Sequence, residues 1–134
     1  MKIYISYRFS GANLTQLRKN LEYINSIIEK NWHKAYIFNR DAQNWGNINI
    51  EDNSIMKIAE KEIENSDVIF ALVTSTEKSE WMMIEIWLAK AKWKKIILAM
   101  KKGTQLFLSE TIADKIIRFD KIEELEELLY EKFK

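Results

Sequence analysis

Asp67-Val-Ile-Phe-Ala-Leu-Val-Thr74 is the stretch on which the architecture turns. Six apolar side chains follow one another from Val68 to Val73 with no polar alternate. A strand of that kind is covered on both faces, as the inner strands of parallel sheets are. Upstream, Lys2 to Tyr7 (KIYISY) is β-branched and aromatic, and Ser10-Gly11 ends the run. Downstream, Lys95 to Met100 (KIILAM) is a second buried run, and shorter strands are expected at 35–38 and 116–119. The five strands are therefore predicted at 2–7, 35–38, 68–74, 95–100 and 116–119.

Helical spacing fills the gaps. Leu14, Leu17, Leu21, Ile24 and Ile28 recur at three and four residues, with Asn31 as the stop. Ile55, Ile58, Ala59 and Ile63 predict a second helix ending near Asn65, and Glu80 to Lys92 a third. A last helix buries Ile122, Leu125, Leu129 and Phe133, with Asp120 as its cap and Glu123 reaching back. Asn39 to Asn49 reads as one long loop, a feature more often functional than decorative. Strands separated by helices give a parallel sheet with helices on both faces. The expectation is a single α/β domain over 1–134, of the three-layer Rossmann or flavodoxin-like type. Ligands bind such sheets at the carboxyl ends of the strands. That places 7–11, 39–46, 74–81 and 101–104 around one rim.

Composition narrows the chemistry. The 134 residues are 47% hydrophobic and 31% charged, enough for one real core. No cysteine is present, so thiolate chemistry and disulfides are excluded, and a single histidine, His33, disfavours a Ser-His-Asp triad. No apolar run approaches the roughly 18 residues of a membrane span, and no signal peptide opens the chain. A net charge of +1 lacks the basic field of a general nucleic-acid binder. A cytoplasmic protein with no membrane or nucleic-acid polymer partner, no cofactor and no metal is expected.

Glu85 is the most informative residue. In Trp81-Met-Met-Ile-Glu85-Ile-Trp-Leu-Ala89 it has four apolar neighbours on each side, so no polar helix face accompanies it. A helix apolar all round is buried on more than one side. The sheet covers one face, and a homodimer through the 80–92 helix is expected to cover another. Desolvation raises a carboxyl pKa and is costly unless the group has a partner or a task. Two readings stay open: a structural acid paired with Arg8 or Tyr7, or a nucleophile or general base at the strand-end rim. Arg8 with Ser6, Ser10 and Gly11 forms a short loop able to cradle a phosphate. Asp41, Glu51 and Asp52 have no spacing that requires a metal. Trp81, Trp87 and Trp93 read as core or interface rather than base-stacking platforms.

These residues carry a resemblance. Ile3-Tyr-Ile-Ser-Tyr-Arg-Phe-Ser-Gly11 resembles the first strand and loop of the nucleoside 2-deoxyribosyltransferase superfamily, which includes deoxynucleoside monophosphate N-glycosidases. Ile63-Glu-Asn-Ser-Asp-Val-Ile-Phe-Ala71, Ser79 through Glu85-Ile86 to Ala89, and Lys94-Lys-Ile-Ile-Leu98 are similar to its central motif, and Ile116 to Phe133 fits its ending. The resemblance implies that Glu85 attacks an anomeric carbon. It places Tyr7, Arg8, Ser10 and Gly11 in the segment holding sugar or 5′-phosphate, and makes Ser79 the loop serine. The implied substrate is a nucleoside or nucleotide. Two features depart from the family: Trp81 and Trp87 stand where glycines are usual, and Ala59 stands where an acid assists the leaving base, a task that falls to Asp41. Ser79-Glu-Trp81-Met-Met-Ile-Glu85 and the Ile-Ser-Tyr-Arg opening also look like Toll/interleukin-receptor (TIR) domains. That likeness implies either NAD cleavage or a catalytically inactive interaction module.

Overall fold

The computed structural model describes residues 1–9, 11–31, 33–77 and 79–130. Its sheet has five strands, β1 (Lys2–Tyr7), β2 (Lys34–Ile37), β3 (Val68–Val73), β4 (Lys95–Lys101) and β5 (Lys115–Phe119). They lie in the order β2-β1-β3-β4-β5, every neighbouring pair parallel. The register sets Ile5 beside Phe70 and Phe70 beside Ile97, so β1 and the two continuous apolar runs form the middle of the sheet.

Alternation along the strands sorts side chains to two cores. On one face Ile3, Ile5, Phe70, Leu72 and Phe119 pack against α1 (Leu14–Lys30) and α6 (Leu125–Tyr130). On the other, Tyr4, Ile69, Ala71 and Leu98 pack against α3 (Asp52–Glu64) and α4 (Glu80–Ala91). A short helix α5 (Leu108–Ile112) lies beside α4. Asn13 caps α1, its side-chain oxygen accepting from the Gln16 N–H at 3.0 Å, and Ser79 caps α4 by accepting from Met82 N–H at 3.2 Å. Among the described residues, no helix is long and apolar enough to cross a membrane.

Several boundaries differ from the sequence reading. Phe38, expected at the end of a strand, begins the short helix α2 (Phe38–Asp41). The expected 39–49 loop therefore holds the rest of that helix and a 3-10 turn at Asn44–Gly46. Asp41 causes the change: its carboxylate accepts from the Ile37 N–H at 2.8 Å and folds the chain back after β2. The cap before the last helix also shifts by one residue. Glu124, rather than Glu123, reaches back to the N–H groups of Asp120 and Lys121, because a 3-10 turn at Ile122–Glu124 precedes α6. Leu14 faces solvent, and Ile27 supplies the burial that α1 needs. Helix α5 lies where no element was expected. Phe133 lies outside the described residues.

Candidate active site at the carboxyl edge of the sheet

Tyr4 and Ser6 are two residues apart on β1, so both side chains point toward α4. There they meet Glu85. One carboxyl oxygen, Oε1, accepts from Ser6 Oγ at 2.8 Å, and the other, Oε2, accepts from the Tyr4 hydroxyl. Trp81, one helical turn earlier on α4, lies close enough to favour the charged form of the carboxyl group. The residue is only 2% exposed. Burial pushes its pKa up from 4.5 to about 8, against the opposing pull of the Tyr4 and Ser6 hydrogen bonds and of nearby Trp81. The same desolvation, with the nearby Glu85 charge, pushes the Tyr4 phenol well above its ordinary range. Tyr4 is held in turn by stacking on Tyr36, ring centres 5.5 Å apart.

The partners of Glu85 are thus Tyr4 and Ser6, where the sequence reading pointed to Tyr7 or Arg8. Ser6 faces the carboxyl group and is fully buried, so the open phosphate cradle drawn from the sequence does not include it. The missed signal was the period of two. Tyr4 and Ser6 share a strand face from which Ile3, Ile5 and Tyr7 point away.

Beside this cluster a cleft of about 500 Å³ opens between the β1 end, α2, the start of α3 and the start of α4. Its walls are aromatic, from Tyr7, Phe9, Phe38 and Trp81, and its polar groups are Gln43, Asp52 and Ser79. Trp81 stands edge-on to Phe38, ring centres 6.1 Å apart, and lines the cleft. Trp87, the other tryptophan in a glycine position, is exposed. The Tyr7 hydroxyl accepts from the Asn39 N–H at 2.9 Å, tying β1 to α2.

A second cleft, about 550 Å³, adjoins the first at Tyr7, on the α1 side of the sheet. Arg8, Gly11, Thr74, Ser75 and Lys101 line it. Arg8 forms an ion pair with Glu77 across the gap between the β1 and β3 ends. Asp41 reaches neither cleft. Its oxygens are engaged by the Ile37 N–H and the Arg40 guanidinium, which donates from Nε and Nη2 at 2.9 Å each. Asp52, at the start of α3, is the acid that does line the aromatic cleft. Ser10 lies outside the described residues. Among the described residues no three His, Asp or Glu side chains converge as metal ligands.

No protein-family model matches the sequence, and no curated protein matches it. Solved structures do resemble it. A CMP N-glycosidase of Clostridium botulinum superposes with a TM-score of 0.73 at 20% identity, covering 96% of this chain and 97% of that one. A 2-deoxyribosyltransferase of Bacillus psychrosaccharolyticus gives 0.68 at 16% identity, over 99% and 96% of the two chains. The 2-deoxyribosyltransferase of Leishmania mexicana gives 0.67 at 15%, over 97% of each. Along nearly its whole length, the chain has the nucleoside 2-deoxyribosyltransferase-like fold.

Proposed function

We propose that this protein cleaves or transfers the N-glycosidic bond of a nucleoside or nucleoside 5′-monophosphate, with Glu85 as the nucleophile. The observation that carries the reading is a buried carboxyl held by Tyr4 and Ser6, one helical turn from Trp81, which lines an aromatic cleft at the strand-end rim. Aromatic walls suit a nucleobase, which stacks on them at low cost in specificity. The fold shared with an N-glycosidase and 2-deoxyribosyltransferases supports the same class of reaction.

The chemistry balances in two steps. A Glu85 carboxylate oxygen attacks C1′ as the C1′–N bond breaks, and the base leaves with the bonding pair and takes a proton from water or from Asp52. Water, or a second base, then attacks C1′, breaks the ester and restores the carboxylate. In-line attack needs the carboxylate within roughly 3–3.5 Å of the carbon. Glu85 is only 2% exposed, so the side chains that cover it, Trp81 of the cleft wall among the nearest, must move when substrate enters. That motion couples access to ionisation. Closed, the dry site favours the protonated acid; opened, water and substrate relieve the desolvation that raised its pKa, and the nucleophilic carboxylate forms.

A second reading has one observation in its favour. Glu85 is buried, only 2% exposed, as suits an inactive interaction module. Incubation with nucleosides, nucleoside monophosphates and NAD, followed by detection of free base, separates the readings. Release that disappears in Glu85→Gln supports the glycosidase. Release from NAD alone moves the assignment to a TIR-like hydrolase, and release from none of them favours the module.

We also infer a homodimer through the 80–92 helix, supported by Ile84 and Trp87, which lie three residues apart on α4 and are both exposed. Light scattering at high micromolar concentration should give twice the monomer mass, with an interface above about 1,000 Å².

A further inference from the structure

We propose that the amino edge of the sheet, opposite the candidate active site, seats the protein on an anionic lipid surface, with Trp93 as the interfacial anchor. Helix α4 ends in a two-bond turn: the Trp93 N–H donates to the Lys90 carbonyl at 3.2 Å, and the Lys94 N–H to the Ala89 carbonyl at 2.9 Å. Such a turn needs a left-handed residue just past the helix end, a position glycine normally takes. Here it is a tryptophan, at φ +60° and 89% exposed. A side chain in that conformation is strained, and an indole in water returns no packing to offset the strain. The helix dipole accounts for lysines at the end of α4. It does not account for the indole. A local rule broken with no gain inside the fold points to a role outside it.

The setting of Trp93 is cationic and broad. Lysine opens four of the five strands: Lys2 on β1, Lys34 on β2, Lys95 on β4 and Lys115 on β5. The register puts Lys2 level with Lys34, and Lys95 level with Val68, the residue opposite Ile3. Five strands set these starts in a row about 20 Å wide. Lys90, Lys94 and Lys95, with Asp114, line a hollow of about 240 Å³ against the indole. The acids nearby are engaged. Asp67 and Asp114 accept from the Lys2 and Ile96 N–H groups at 2.9 and 2.8 Å, Glu62 pairs with Lys2, and Glu60 and Glu64 pair with Lys92. Lys34, Lys90, Lys94 and Lys95 have no ion pair among the described residues. Tryptophan favours the headgroup level of a bilayer, and each lysine beside an anionic leaflet strengthens attachment about five-fold, or about 1 kcal/mol. A nucleic-acid strand fits this edge less well. Strand binders stack successive bases on several aromatics along a groove, and phosphate-reading faces favour arginine. None of the four arginines, Arg8, Arg18, Arg40 and Arg118, opens a strand or flanks Trp93. Attachment of this kind is peripheral and needs no membrane-crossing helix, so the expectation of no membrane partner, drawn from the lack of a span, does not bear on it.

This attachment is independent of the N-glycosidic reading, and a partitioning assay tests it. The full chain is sedimented with vesicles of phosphatidylcholine alone and of equal parts phosphatidylcholine and phosphatidylglycerol, at low and at high salt. It is titrated separately with a single-stranded thymidine oligonucleotide. Wild type should partition onto the anionic vesicles and not the neutral ones, and high salt should release it. Trp93→Gly gives the turn its usual residue, so melting temperature should hold or rise while partitioning falls by about ten-fold or more. Lys90→Gln/Lys94→Gln should lower partitioning by about ten- to thirty-fold. Both variants lie away from the candidate active site, so base release by the free protein should match wild type. No partitioning onto anionic vesicles, or equal partitioning onto neutral ones, overturns the proposal. So does wild-type partitioning by a folded Trp93→Gly. Tighter binding to the oligonucleotide than to the anionic vesicles also overturns it, and reassigns the edge to nucleic acid.

Discussion

The two faces of β1 are built on different terms. Ile3, Ile5 and Tyr7 meet Leu21, Ile24 and Ile28 of α1 in a core that asks only for apolar volume. Tyr4 and Ser6, from the same six residues, enclose a carboxyl group within an otherwise apolar layer of Ile69, Ala71, Ile86 and Leu98. The first face is a solution to packing. The second keeps a group that apolar residues of similar volume could replace at little or no cost in stability. A cluster retained against that gradient is where function should be sought.

The sharpest way to break the comparison is Glu85→Gln. It preserves size and removes the anion, so base release should fall by about three orders of magnitude or more, while thermal stability holds or rises. Ile5→Val, on the other face, should leave turnover nearly unchanged. Parallel assays of base release and melting temperature on the two variants check both halves. Unchanged turnover in Glu85→Gln takes the residue out of the mechanism.

Acidity offers the next largest contrast. Between pH 4.5 and about 8 the folded chain holds a proton on Glu85 that the unfolded chain releases. The contribution is therefore fully present below pH 4.5 and declines as pH rises through 8. Its slope is roughly 1.4 kcal/mol per pH unit at most. Turnover should move the other way, rising as the carboxylate forms. Denaturant titrations and rates at pH 5.5 and 8.5 should show these opposed slopes in wild type. In Glu85→Gln the stability slope should be lost.

Single substitutions on β1 refine the picture. Tyr4→Phe removes a hydrogen-bond donor from the carboxylate, raising the Glu85 pKa further and costing about 1–3 kcal/mol at pH 9 and less at pH 6. Ile5→Val should cost about 0.5–1.5 kcal/mol at either pH, since only packing is lost. Smallest of all, Asn13→Ala and Ser79→Ala each remove one helix cap and should cost about 1 kcal/mol. If Ser79 also meets substrate, only its variant should raise KM.

The sheet was legible because its signal is one of continuous runs: Val68 to Val73 and Ile96 to Met100 have no polar alternate that could shift their meaning. Glu85 was legible for the opposite reason, as a charge among apolar neighbours. Its partners were harder to read. Tyr4 lies 81 residues away in sequence, and only the register of a formed sheet brings its hydroxyl to the carboxyl group. The turn after β2 depends on a side chain bonding to backbone four residues earlier, which hydrophobic periodicity does not register. Asp41 could be recognised as an acid near the rim, but its commitment to Arg40 and Ile37 is purely three-dimensional.

The order β2-β1-β3-β4-β5 has a consequence for how the chain assembles. The first strand of this sheet in chain order is an inner one, and its register partner Val68 stands 65 residues beyond Ile3. No two strands can pair through a short hairpin, since every neighbouring pair is parallel and needs a crossover. Such topologies fold slowly, because long loops must close before their contacts repay the lost entropy. The Tyr4–Ser6–Glu85 cluster joins residues 81 and 79 positions apart, so it forms only once β1 and α4 have come together. Until β1 docks, Glu85 stays hydrated and ionised; its proton uptake near neutral pH therefore marks closure of the sheet. A pH-indicator dye in a weakly buffered refolding experiment would follow that closure in real time.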